Sequence, residues 1–152
     1  MRPWNRACIQ KIANLARINI SKEEGIVLSV GHIERYNPVI KYVKESMGSN
    51  KWGNLITMSS KRLSSYPSRI RDVGVVMDLA IHDIDIMNYL SSSDSINVKS
   101  LLGFQNNKKF EDNALIMIDY SNKVKGICEV NWLTPVKVRE IVLTFDKAFV
   151  TI

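Results

Sequence analysis

The sequence predicts a chain that begins as α/β and ends as α+β: the last helix and strand of an α/β unit, then a mostly antiparallel open sheet with a helix packed on it. Three observations predict this. A helix-period stretch from about Ala7 to Asn19 leads through Ser21 to Gly25 into Ile26-Val27-Leu28-Ser29-Val30, a β-branched run, apolar on both faces like a parallel strand covered by helices. The stretch Gly74 to Leu90 repeats its apolar residues with helical period. Strand-like blocks then come at Ile96 to Phe104, Asn113 to Tyr120, Lys125 to Trp132 and Val138 to Phe145, separated by Gln105-Asn106-Asn107, Ser121-Asn122 and Leu133-Thr134-Pro135. Strands joined by such short turns run antiparallel. The boundary is placed after Asn37, so that 1–37 closes the α/β unit and 38–152 forms the α+β domain.

In chain order, Cys8, Ile12, Leu15 and Ile18 are expected on the packed side of the first helix. A lone two-sided strand at Ile26 to Val30 needs neighbours on both edges, and no upstream segment can supply them. Gly31 to Asn37 leaves the carboxyl end of that strand, where open α/β sheets place ligands, so Arg35 and Asn37 are candidates to face a substrate. Asn37-Pro38 equally reads as an N-cap followed by proline at the first helical position, and the two roles are compatible. Val39, Ile40, Val43 and Met47 space a short amphipathic helix that Gly48 to Asn50 ends. A strand over Asn54 to Ser60 then enters a Ser-rich, basic loop, Lys61 to Pro67, expected to wall the pocket of the next helix.

A chain of 152 residues with 45% hydrophobic content is about one domain and can bury a core. The net charge of +6 permits an anionic partner, but the basic residues are scattered, and no aromatic-basic signature or C-x-x-C finger supports nucleic acid. A phosphorylated or nucleotide-linked small molecule suits the same charge. Cys8 and Cys128 give no disulfide framework and point to a reducing compartment. No apolar run approaches the roughly 18 residues of a membrane span, and the start has no apolar signal region, so the expectation is a cytoplasmic protein.

The chemistry concentrates on the helix from Gly74 to Leu90. Asp78, His82 and Asp85 fall at i, i+4 and i+7 and so share one face among Leu, Ile, Met and Val. Desolvated groups of this kind pair or shift their pKa values, and a His beside a carboxylate is the usual arrangement for moving a proton near neutral pH. Taken singly, such a residue is more often a hydrogen-bonded structural group, which leaves a polar seam as the alternative. A metal site is not favoured, because zinc needs three or four ligands and the only other histidine is His32.

Three blocks in order carry a resemblance. They are Val30-Gly31-His32 with Arg35-Tyr36-Asn37-Pro38; Gly74-x-x-x-Asp78-x-x-x-His82-Asp83-Ile84-Asp85; and Glu129-Val130-Asn131-Trp132-Leu133-Thr134-Pro135 with Lys137-x-Arg139-Glu140. Together they resemble the Gfo/Idh/MocA family, its nucleotide-sugar dehydrogenases most of all. The resemblance implies an NAD- or NADP-dependent dehydrogenase with an amino-terminal Rossmann domain and a second domain that holds the substrate over an open sheet. By the same resemblance His82 acts on the proton of a sugar hydroxyl, Asp78 orients substrate or imidazole, and Arg35, Asn37 and Asp85 lie on the substrate side. The family's Gly-x-Gly-x-x-Gly cofactor loop has no counterpart in these residues, and Arg2 stands where the family has a lysine that assists proton transfer. Arginine keeps the charge but does not release a proton at ordinary pH. The expectation is the middle of a dehydrogenase: either a substrate domain completed by a separate Rossmann subunit, or an inactive remnant that binds a sugar or pairs with a second copy through its sheet.

Overall fold

The computed structural model describes residues 6–70, 72–106 and 109–152, with side chains from residue 14 onward. The chain divides into two compact units, Met1–Gly31 and His32–Ile152. In the first, helix α1 spans Arg6–Glu23, longer at its carboxyl end than the sequence suggests, and Gly25 at φ 64 turns the chain out of it. Leu15 and Ile18, expected on a packed face, are exposed, and Cys8, Ile12 and Arg2 lie outside the described side chains. Ile26 to Val30 forms no strand, and Val27 is 90% exposed. A strand exists through its ladder, and among the described residues nothing pairs with this one; β-branched composition alone does not make a sheet.

The second unit is a six-stranded mixed sheet with helices on one face. A 3-10 turn at Ile33–Tyr36 leads into α2, Pro38–Gly48. The strands are β1 Leu55–Ser65, β2 Ser95–Gly103, β3 Asn113–Tyr120, β4 Lys125–Asn131, β5 Leu133–Phe145 and β6 Phe149–Thr151, in the order β2-β3-β4-β1-β5-β6. Between β1 and β2 lie a π turn, Val76–Ala80, and helix α3, Ile81–Ser91. The core is where α2 and α3 meet the sheet: Ile40, Val43, Ile86, Met87 and Leu90 pack over Met58, Ile116, Ile118, Cys128, Val130 and Leu143. Burial of this apolar surface is the main favourable term in the fold.

Two features depart from the sequence expectation. β1 runs five residues past Ser60, so Lys61 to Ser65 are strand and not loop. β4 and β5 adjoin in sequence yet do not pair. β1 lies between them, parallel to β4 and antiparallel to β5, and the chain from Asn131 to Val138 passes around the end of β1, with Leu63 opposite Asn131 on one side and Val138 on the other. On the outer face of the sheet Leu101 stands opposite Leu115 and Met117 opposite Ile127, and all four are exposed.

Candidate functional site

The helix that carries the candidate residues is fixed at both ends. At its start, Glu111 accepts the Val75 N–H on its carbonyl at 2.9 Å and the Val76 N–H on its carboxylate at 3.1 Å, which satisfies amides that a helix start leaves free. Gly74 is required for this approach, because a Cβ there would lie 2.1 Å from the Glu111 carboxylate. The first turn is widened: the Ile81 N–H reaches back to Val76 O, the i to i+5 spacing of a π turn. At the far end Ser92 is left-handed, φ 51, and Lys44 donates to the carbonyls of Tyr89 at 2.6 Å and Leu90 at 3.4 Å, with its ammonium also over the Tyr89 ring. Burial lowers the Lys44 pKa from its usual value.

Residues two apart on a helix point about 200° apart, so Asp83 and Asp85 serve different neighbours. Asp83 is 2% exposed and faces β1, where the Arg62 guanidinium donates from Nε at 3.1 Å and from Nη2 at 2.7 Å. Arg62 Nη1 donates to Glu34 at 3.3 Å. Burial opposes the Arg62 charge, but Asp83 and Glu34 outweigh it and hold the pKa above its usual value. Asp85, also buried, takes a two-pronged contact from Arg35, Nε at 2.8 Å and Nη2 at 2.6 Å, and lies 3.5 Å from His32 Nδ1. The hydrogen bond to Asp85 raises the Arg35 pKa. The 3-10 turn is thereby tied to α3 at two points, through Glu34-Arg62-Asp83 and through Arg35-Asp85.

Asp78 and His82 are placed differently. Both are half-buried, and among the described residues neither side chain makes a hydrogen bond or ion pair. They are four residues apart across the junction of the π turn and α3, with polar atoms free for a ligand. Asn37 caps α2, accepting the Val39 N–H at 3.0 Å, with Pro38 at the first helical position. The stripe Asp78, His82, Asp85 is thus divided: Asp85 and Arg35 are consumed by each other, Asn37 is committed to its cap, and Asp78 with His82 remain open. The sequence reading passed over Asp83, Arg62 and Glu34. Their signal was the alternation Met58, Ser60, Arg62, which puts an arginine on the buried face of a strand. No group of residues that could hold a metal occurs among the described residues, and no helix among them is long and apolar enough to cross a membrane.

Residues 40–151 match the family model described as the GFO/IDH/MocA C-terminal domain. The chain is 31% identical over 87 residues to the UDP-N-acetylglucosamine 3-dehydrogenase of Acidithiobacillus ferrooxidans, a match that covers 57% of this chain and 26% of that protein. The solved structure of the same enzyme superposes with a TM-score of 0.79 at 23% identity, over 90% of this chain and 44% of that one. The WlbA dehydrogenase from Bordetella pertussis, solved with NADH and UDP-GlcNAcA, gives 0.79 at 20% identity, over 88% and 45%. The chain thus spans under half the length of these relatives.

Proposed function

The chain belongs to the GFO/IDH/MocA family, and from that membership we propose that it is the substrate-side domain of an NAD(P)-dependent oxidoreductase acting on a hydroxyl of a sugar, nucleotide sugar or cyclitol. The observation that carries the reading is the contrast on one helix. Asp83 and Asp85 are locked in ion pairs, while Asp78 and His82 keep unpaired, half-buried polar atoms. Residues built only to hold the helix would be paired like their neighbours.

Oxidation of a hydroxyl removes a proton and a hydride, and this chain supplies a place for the proton. A ring nitrogen of His82 accepts it as the carbonyl forms, and Asp78, one turn earlier with its carboxylate unpaired, orients the substrate hydroxyl. The Glu34-Arg62-Asp83 and Arg35-Asp85 pairs hold the helix in place, so that His82 meets the hydroxyl without rearrangement. A nicotinamide held by a Rossmann domain, carried by another chain or by another part of the same polypeptide, would supply the hydride acceptor. The exposed apolar residues Leu101, Leu115, Met117 and Ile127 on the outer face support a homo-oligomer formed through the sheet. The separated cysteines support a cytoplasmic setting.

Titration calorimetry and imidazole NMR on this chain test the reading. UDP-N-acetylglucosamine is expected to bind and to shift the His82 ring resonances, and NADH alone is expected to show no low-micromolar affinity. Tight NADH binding, together with His82 resonances that ignore every sugar nucleotide, would overturn it.

A further inference from the structure

The Lys137-x-Arg139-Glu140 segment takes no part in the proton chemistry above, yet the fold gives Arg139 a particular setting. β1 and β5 are antiparallel with Arg62 directly opposite Arg139. Both lie on the helix-covered face, in the alternation that buries Met58, Ser60, Ile141 and Leu143. Like charges in direct register repel unless something anionic stands between them. Arg62 is neutralised by Asp83 and Glu34. Arg139 is exposed and has no ion pair among the described residues. The next registered pair, Lys61 and Glu140, is of opposite sign.

A cavity of about 130 Å³ opens here, bordered by the cations Lys61, Arg62 and Arg139 and the carboxylates Glu34, Asp83 and Glu140, of which Glu34 and Asp83 are taken up by Arg62. At about 30 Å³ per water it has room for about four waters, or for one tetrahedral oxyanion, and is too small for a sugar nucleotide. Arg62 donates one N–H from each nitrogen to Asp83 and Glu34, which leaves one further N–H on each terminal nitrogen. Neither His82 nor Asp78 borders this space.

We propose that the cavity is an oxyanion site, which holds a phosphoryl or carboxylate group between the Arg139 guanidinium and the spare N–H groups of Arg62. The anion occupies the position between two registered arginines and gives Arg139 the two-pronged partner that its planar fork suits. The inference is independent of the role given to His82.

The test uses the whole chain, with sodium phosphate against sodium chloride at equal ionic strength, and side-chain guanidinium NMR as the readout. Phosphate is expected to produce saturable shifts at Arg62 and Arg139 and to raise the melting temperature above the chloride control. Arg139→Gln, an exposed substitution that leaves the core intact, is expected to weaken the dissociation constant roughly tenfold or more, the usual effect of losing a charge-assisted contact. Glu140→Gln, which removes a carboxylate from the border of the cavity, is expected to keep or tighten phosphate binding, and loss of binding in it would count against the proposal. Uridine monophosphate and acetate form two further arms: tighter binding of the nucleotide marks the phosphoryl group of a larger ligand, and tighter binding of acetate a carboxylate. No saturable shift with any of the three, or equal affinity in Arg139→Gln, would overturn the proposal.

Discussion

Breaking the Arg62-Asp83 pair should destabilise the fold far more than removing it whole. Arg62 and Asp83 are 7% and 2% exposed, and the guanidinium contacts both carboxylate oxygens at 2.7 to 3.1 Å. Asp83→Asn leaves a buried guanidinium with a neutral amide in place of the carboxylate and only Glu34, at 3.3 Å, as an anionic partner, and Arg62→Met leaves a buried carboxylate with no cation. Each single change is expected to cost about 3 to 5 kcal/mol, a large part of the roughly 5 to 15 kcal/mol that a domain of this kind possesses. The melting temperature should fall by roughly 10 to 20 °C. In the double variant Arg62→Met, Asp83→Leu the only charge left without its partner is Glu34, whose side chain is 21% exposed and open to water, and most of the loss should be recovered, because well-packed apolar replacements of buried pairs are often neutral or stabilising. Urea unfolding followed by fluorescence suits the measurement, since Trp132 is 2% exposed and in edge contact with Tyr66 at 5.4 Å. Single variants that each lose under about 1 kcal/mol, with additive effects in the double, would refute the reasoning, because the pair would then behave as an exposed one.

Alkaline pH should unfold the chain in a defined window. Burial raises the Cys128 thiol from 9.0 to about 11 and the Tyr120 hydroxyl from 10.0 to about 12. Between those values the unfolded chain has lost the proton and the folded chain keeps it, so stability is intact below pH 9 and falls as pH rises, by roughly 3 kcal/mol for the thiol by pH 11. Urea midpoints across this range check the slope, and Cys128→Ala should remove its first part. Asn37→Ala should cost about 1 kcal/mol through loss of the α2 cap, with Asn37→Ser restoring most of it in the same assay. Light scattering at micromolar concentration should report a dimer or larger species, and a Met117→Lys, Ile127→Lys variant should shift it toward monomer, given the exposed apolar outer face.

The parts of this fold that a linear pattern could reveal were those set by local chemistry. Asn37-Pro38 announces a helix start, the strands β2, β3 and β4 lie within a residue of the alternating blocks, and the polar residues from Asp78 to Asp85 mark the helix that carries the site. Features that depended on distant partners were hidden. Ile26 to Val30 has the composition of a buried strand, but strand formation depends on a neighbour that composition does not contain. β4 and β5 look like a hairpin because Leu133-Thr134-Pro135 reads as a turn, whereas these residues belong to β5 and β1 lies between the two strands. Lys61-Arg62-Leu63-Ser64 reads as a solvated loop until the strand register turns Arg62 inward onto Asp83. Asp85 looked equivalent to Asp78 and His82 because helical period alone cannot show that Arg35 and His32, some fifty residues earlier, occupy it.

The central claim is that His82 takes the proton of a substrate hydroxyl. It is tested most directly by joining residues 32–152 to the part of the Acidithiobacillus ferrooxidans enzyme that lies outside the matched region and measuring turnover of UDP-N-acetylglucosamine with and without His82→Ala. The substitution is expected to lower kcat by roughly 10²- to 10⁴-fold with a smaller change in KM, the usual contribution of a positioned acid or base. Near-normal turnover in an active, folded His82→Ala chimera would contradict the claim and return Asp78 and His82 to a structural role on the helix.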